Sequence, residues 1–334
     1  MKYWILKRIL LIIVVIWGIT TIVFIINSVL PRNTAIALAG ARATPEKIEA
    51  FNERWGLNKP VWQRYYEYYG YMLKGDLGTS IRTERPVTKE IRNFLPATLE
   101  LATCSLIISC LIGIPIGILS AIKRNKISDQ LARFLSLIGV STPNFWLGLL
   151  IILVFYYFLG GAGPGRISSA DLEPARITGL YLLDSIITLN WDSFVDSLKH
   201  IIGPAFALGF FTAGIVTRQM RSSMLDVLGK DYIKAARARG LPYIKVIYSH
   251  ALKNSLIPVV TILGVQFGAY LGGAIVIEAV FSWPGLGNFV YVSILKADSP
   301  AILGSVVTIA VLYSVVNLIV DIIYRFLDPR IKFE

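Results

Sequence analysis

Six stretches of the chain are long, apolar and free of acidic or basic side chains. They run from Ile9 to Pro31, Leu101 to Ile122, just after Arg133 to Gly165, His200 to Thr217, Asn254 to Ile277 and Ser299 to Val320. A helix of about 20 apolar residues crosses the hydrocarbon core of a bilayer, so the pattern predicts six transmembrane helices. The first run is too long for the apolar core of a signal peptide and lacks a small-residue cleavage site, so it is expected to be retained. The third run is too long for one straight helix. Pro143 lies inside it, which predicts a kinked span over about 135–158 and then a glycine-rich exit at Gly160, Gly161, Gly163 and Gly165. The fourth run is short and contains Pro204.

The polar segments between these runs set an orientation. Lys7-Arg8 precede the first run, Lys123, Arg124 and Lys126 follow the second, and eight Lys/Arg against two Asp lie between Arg218 and Lys253. Short basic loops stay on the cytoplasmic side, which places both termini inside. Residues 32–96 form a polar insertion of mixed charge, closed by Leu95-Pro96. Long loops translocate largely regardless of charge, so alternation places it outside. It holds an amphipathic piece over 45–55, an aromatic cluster (Trp62, Tyr65, Tyr66, Tyr68, Tyr69, Tyr71) expected to serve as small core and interfacial belt, and Gly75-Asp76-Leu77-Gly78-Thr79-Ser80. Its length suits a small subdomain rather than a linker. Residues 166–199 are acidic on balance, and 179–187 are too short to span.

Composition narrows the function. The 334 residues are 55% hydrophobic and only 16% charged, with mean hydropathy +0.62, as in an integral membrane protein. The net charge of +12 clusters in loops between spans, which argues against a nucleic-acid surface. Cys104 and Cys110 share one apolar run and read as packing residues, and His200 and His250 are too far apart in sequence to suggest a metal site. The nearest approach to a phosphate-binding loop, Gly229-Lys230-Asp231, lacks the leading glycine and the hydroxyl, so ATP is not bound by that route. No catalytic triad or carboxylate pair can be placed. Energy for pumping would therefore come from a partner or an ion gradient. The span centres are nearly free of charge, which disfavours an ion-coupled transporter acting alone. Asp321 and Arg325, four apart on one helix, are expected to pair. The polar run Ser141-Thr142-Pro143-Asn144 fits either helix packing or a pore-facing kink.

The stretch Asp231 to Pro242 carries the most specific pattern. Ala235, Ala236 and Ala238 favour a helix, Gly240 can end it, and Pro242 can open the next. Helical spacing puts Tyr232, Ala236 and Arg239 on one face. Ala235-Ala236, three residues and then Gly240 resembles the "EAA" loop of bacterial and archaeal ABC-importer permeases, with Lys234 where the named Glu would stand. Together with His250-Ala251-Leu252-Lys253-Asn254 and Pro258 it is more similar to the peptide/nickel branch, whose loop reads like "ARAKG…HALRN…P". The resemblance extends along most of the chain. Gly56 to Pro60 looks like "GLDKP" with Asn58 for Asp, Gly75 to Ser80 like "GDLGTS", and Leu95 to Leu101 like "LPATLEL". Pro143, Phe145 and Trp146 look like "PxFW", Glu278 with Phe281 and Pro284 to Gly287 like "E..F..PGLG", and Asp328-Pro329-Arg330 like the terminal "DPR". Leu30 to Thr34 departs from the branch's "PGDP".

This resemblance implies an all-α permease of the type I ABC-importer fold: a first helix (1–31), an extracytoplasmic insertion (32–96), a transmembrane domain (97–325) containing the cytoplasmic coupling loop 218–253, and a cytoplasmic tail (326–334). It implies a non-catalytic subunit with no cofactor of its own. Partners would be a second, homologous permease, two cytoplasmic ATPase subunits that bind ATP and Mg, and an extracellular binding protein. Transport would proceed by alternating access. Tyr232, Ala235, Ala236, Arg239 and Gly240 would contact the ATPase, and Asn144, Trp146 and Glu278 are candidates for the translocation pathway. Peptides are the leading cargo, with oligosaccharide or nickel chelate as alternatives.

Overall fold

The computed structural model describes residues 2–29 and 58–327, with isolated positions 46, 49, 53 and 56 between them. The motifs at Leu30 to Thr34 and Asp328 to Arg330, and most of the 45–55 amphipathic piece, lie outside the described residues. Among those described, the chain is helical, with a single isolated bridge between Thr79 and Pro86. The long helices are α1 (Lys2–Val29), α3 (Val87–Ile122), α7 (Trp191–Leu228), α9 (Leu252–Gly273) and α12 (Ser299–Leu327). Shorter ones are α2 (Val61–Met72), α4 (Ile127–Ser141), α5 (Asn144–Ile151), α6 (Tyr181–Ile187), α8 (Asp231–Ala238), α10 (Ile275–Val280) and α11 (Leu286–Leu295). Among the described residues, five helices are long and apolar enough to cross a membrane, or six if α4 and α5 with its continuation form one broken span.

One detail corrects the sequence reading. The third span is not a kinked rod: α4 and the Asn144–Phe158 helix meet at 97°. Pro143 lacks an N–H and pushes Thr142 into extended backbone (φ −81°, ψ 121°), so the first helix must stop there. The insertion ends within a helix, since α3 begins at Val87 and runs through Leu95-Pro96. Its first turns are held by burial of Val87 and Ile91 among Leu286, Phe289 and Ala301, which outweighs the one backbone bond Pro96 removes.

The chain forms two compact units, residues 1–96 with 284–314, and residues 97–283 with 315–334. In the first, α2 lies along α1: Thr21 Oγ1 is 3.0 and 2.9 Å from the Tyr65 and Tyr69 hydroxyls, and Phe24 packs edge-on to Tyr65. Tyr65, Tyr68 and Tyr69 are thus half-buried, while Trp62, Tyr66 and Tyr71 stay exposed. Buried Asp298 accepts from Ser80 Oγ (2.5 Å), Ile81 N (3.0 Å) and Ala301 N (3.3 Å), fixing the Gly75 to Ser80 turn to the start of α12.

The second unit is organised around α7, the most buried of the long helices. It begins nine residues before the apolar run because Asn190 Oδ1 caps it through Ser193 N. Small residues let neighbouring backbones approach, as expected where lipid supplies no hydrophobic drive. A Cβ on Gly117 of α3 would meet Met220 and the Thr217 carbonyl within 3 Å, and one on Gly214 would meet the Ser136 carbonyl of α4 at 2.7 Å. Tyr270 of α9 donates to Thr212 Oγ1 (2.6 Å) and closes the other side of α7.

Candidate functional site

At the end of α7, Gly229-Lys230 turn the chain into α8. Two side chains anchor this helix: Ile233 is fully buried and Ala236 is 8% exposed, both within a cluster that includes Met220, Met224, Val246, Ile247 and Ala251. The remaining positions, Asp231, Tyr232, Lys234, Ala235, Arg237, Ala238 and Arg239, face outward. This corrects the expected face. Ala236 turns inward, and the presented surface is Tyr232, Ala235 and Arg239, spaced i, i+3, i+7. Ala236 therefore sets how closely α8 sits on the core, and Ala235 is the small residue left exposed beside it.

The end of α8 is a Schellman motif. Leu241 N donates to the Ala236 carbonyl (3.4 Å), Gly240 N donates to the Arg237 carbonyl (2.9 Å), and Gly240 takes φ +74°. No atom would crowd a Cβ at Gly240, so the glycine serves the backbone rather than packing. Beyond Pro242, a short turn Tyr243–Lys245 leads into a π-helical segment, Val246–Ala251, and then α9. Asn254 Nδ2 donates to the Tyr232 hydroxyl (2.9 Å), and the Arg237 guanidinium lies 5.9 Å from the Tyr243 ring. Lys234 pairs with Asp231 at 2.9 Å in full solvent. The result is a short, rigidly seated helix with a basic, small-residue outer face.

Residues 113–333 match the family model described as binding-protein-dependent transport system inner membrane component, and residues 1–102 match the model for the N-terminal part of such components. The chain belongs to this family. It is 46% identical to the probable D,D-dipeptide transport system permease protein of Escherichia coli over 96% of this chain and 94% of that protein. It is 38% identical to the oligopeptide transport system permease protein AppB of Bacillus subtilis over the whole of both chains. Inward-facing structures of the MetNI methionine ABC transporter share its fold, with TM-score 0.52 and 19% identity over 70% of this chain and 93% of that one. The chain is thus a multi-pass, non-catalytic ABC-importer permease subunit with the type I fold.

The three pathway candidates of this permease differ in exposure. Asn144 is half-buried at the start of α5 and Trp146 is 51% exposed. Glu278 is fully buried in α10, which packs on α5, and it accepts from Thr98 Oγ1 at 2.6 Å. Asp321 is not without a partner, but the Arg325 side chain lies outside the described residues.

Two buried ion pairs were invisible in the sequence. Asp129 accepts from Arg221 Nε (2.7 Å) and Nη2 (2.8 Å), Ser120 Oγ (2.6 Å) and Asn125 N (2.9 Å). It joins the end of α3, the start of α4 and the last part of α7, ten residues before α8. Glu100 of α3 accepts from Arg166 Nη2 (2.5 Å) and Leu182 N (2.7 Å), and the Arg166 guanidinium sits 3.7 Å from the Tyr181 ring centroid. In the sequence Asp129 lies in a basic turn and Arg166 in a long loop, so neither had a visible partner. The one available signal was a carboxylate at the edge of an apolar run, which requires a partner once buried.

Proposed function

We propose that this chain is one of two permease subunits in a peptide importer, and that α8 is the coupling helix that docks on an ATPase. The observation that carries the reading is the construction of α8: Ile233 and Ala236 fix it to the core, while Tyr232, Ala235, Arg239 and Gly240 are left for a partner. A partner carrying acidic groups fits the exposed Arg237 and Arg239. The relatives named above are permeases for dipeptides and oligopeptides, which favours peptides over oligosaccharide or nickel chelate, and over an ion-coupled carrier.

In this reading both termini and residues 218–253 are cytoplasmic, and residues 32–96 face outward, where a binding protein would deliver peptide. The partner permease is a homologue, and two ATPases carry ATP and Mg. Closure of the ATPases draws the paired α8 helices together, and α7, joined to α8 by two residues, carries that movement into the membrane. Asn144 and Trp146 at the sharp bend between α4 and α5 line the pathway, with Glu278 supporting α10 behind them.

The test is a mild-detergent purification followed by reconstitution with labelled dipeptide. The expected result is co-purification of ATPases and a second permease, with ATP-dependent uptake once binding protein is added. A chain that purifies alone and transports without ATP would overturn the reading.

A further inference from the structure

In the first unit, α2 turns one face toward a cavity of about 390 Å3. Arg64, Tyr68 and Tyr71, spaced i, i+4, i+7 on that face, line it together with Phe24 of α1 and Pro300 and Leu303 of α12. The volume falls in the range of small-molecule sites, and the wall combines apolar and polar groups as such sites do. Phe24 is near the C-terminal end of one membrane-spanning helix, and Pro300 and Leu303 are near the N-terminal end of another.

Two polar groups in this wall lack an internal partner among the described residues. The Tyr68 hydroxyl is buried and makes no hydrogen bond. Arg64 is half-buried without a carboxylate partner, and burial alone pushes its guanidinium below the ordinary value. Three acids also line the cavity, Glu53, Glu67 and Asp76, and two of them are engaged elsewhere. Glu67 accepts from Lys59 Nζ (2.8 Å) and Gln63 Nε2 (3.0 Å), and Asp76 accepts from Gly78 N (2.8 Å). Burying an O–H and a cation without acceptors is costly, and both groups are donors. A guanidinium beside a phenol O–H matches an oxyanion.

We propose that this cavity binds an oxyanion carried on an amphipathic small molecule, with Arg64 and the Tyr68 hydroxyl as donors and Phe24 and Leu303 against its apolar part. A phospholipid phosphate and a peptide carboxylate share this chemistry. The position at the ends of two spans, beside an aromatic helix of the kind found at membrane interfaces, favours the phospholipid.

Native mass spectrometry of the complete transporter in a non-ionic detergent tests this. The probes are palmitoyl-oleoyl phosphatidylglycerol, the matching diacylglycerol without phosphate, and dialanine. Saturable phosphatidylglycerol binding is expected, with none for diacylglycerol. Arg64→Gln and Tyr68→Phe should each weaken it about tenfold, as loss of a charge-assisted or buried hydrogen bond does, and Arg64→Lys should retain most of it. Tyr68→Phe removes a hydroxyl that is unpaired without ligand, so the delipidated complex should melt no lower than wild type while losing the stabilisation that lipid confers. This signature keeps the test sound even if Arg64→Gln folds poorly. Displacement of the lipid by dialanine, sensitive to the same substitutions, would assign the site to the peptide carboxylate instead. Equal binding of phosphatidylglycerol to wild type and both variants, with no saturable dialanine binding, would overturn the proposal.

Discussion

The buried carboxylate of Asp129 gives the sharpest perturbation. Asp129→Ala removes four hydrogen bonds at once and strands Arg221, whose side chain is 20% exposed, and Ser120, which is fully buried. Breaking a buried ion pair from one side costs about 3–5 kcal/mol. Partial exposure of Arg221 lets water take over some of its solvation, which lowers the expectation to about 2–4 kcal/mol. Asn125 also loses the contact that holds its backbone at φ +62°. The consequence reaches α8, because Arg221 lies on α7 ten residues before α8 and Asp129 ties that part of α7 to the turn between α3 and α4. Two assays read the effect: unfolding of the detergent-solubilised complex, and dipeptide uptake per ATP hydrolysed in proteoliposomes. Stability should fall by the amount above, and uptake per ATP should fall while basal hydrolysis persists. Asp129→Ala with Arg221→Ala should cost less than the sum of the single changes, since the second removes the stranded charge. Wild-type stability in Asp129→Ala, or strict additivity in the double variant, would refute the reasoning.

The remaining predictions concern α8 and the loop before α7. Ala235→Trp should leave stability within about 0.5 kcal/mol, because the position is exposed, yet abolish ATPase co-purification; Ala236→Trp should destabilise the chain by about 1–3 kcal/mol through overpacking. The reverse pattern would show that the assigned face is wrong. Gly240→Ala should cost about 1–2 kcal/mol from its left-handed backbone alone, whereas Gly240→Phe should also uncouple uptake from hydrolysis, and unchanged uptake would remove the docking assignment. Lys234→Glu should be tolerated in purification and uptake, since Lys234 is exposed and pairs with exposed Asp231. Burial works to raise the Asp184 carboxyl, but donors from Thr178, Gly179 and Ile177 outweigh it and hold the group below its ordinary value. Its contribution is therefore present above about pH 4 and lost as pH falls through the lower folded value. Limited proteolysis of the 166–190 segment should stay constant from pH 7 to 5 and rise below about 4, and Asp184→Asn should raise it throughout; a rise between pH 7 and 5 in wild type would contradict this.

The sequence by itself determined that this chain is a bundle of membrane-spanning helices. The hydrocarbon core imposes a length and a polarity that any spanning segment must satisfy locally, so six apolar runs were readable without knowing what they touch. The end of α8 was readable for the same reason: a Schellman turn needs a residue at positive φ, and Gly240 supplies it. What only the tertiary structure decided was which way each side chain turns and which charges meet. Ala235 and Ala236 are identical in the sequence, and only the packing of Ile233 against Met220 and Met224 turns Ala236 inward and leaves Ala235 outside. The 97° turn at Pro143 and the straight passage through Pro96 follow the same logic. A proline removes one donor in either place, and the burial available around it decides whether the helix stops or continues. Asp129 with Arg221 and Glu100 with Arg166 stand 92 and 66 residues apart, and nothing local to either partner encodes the other. Their pairing is imposed by desolvation, which forces each buried charge to find its opposite once the helices have packed.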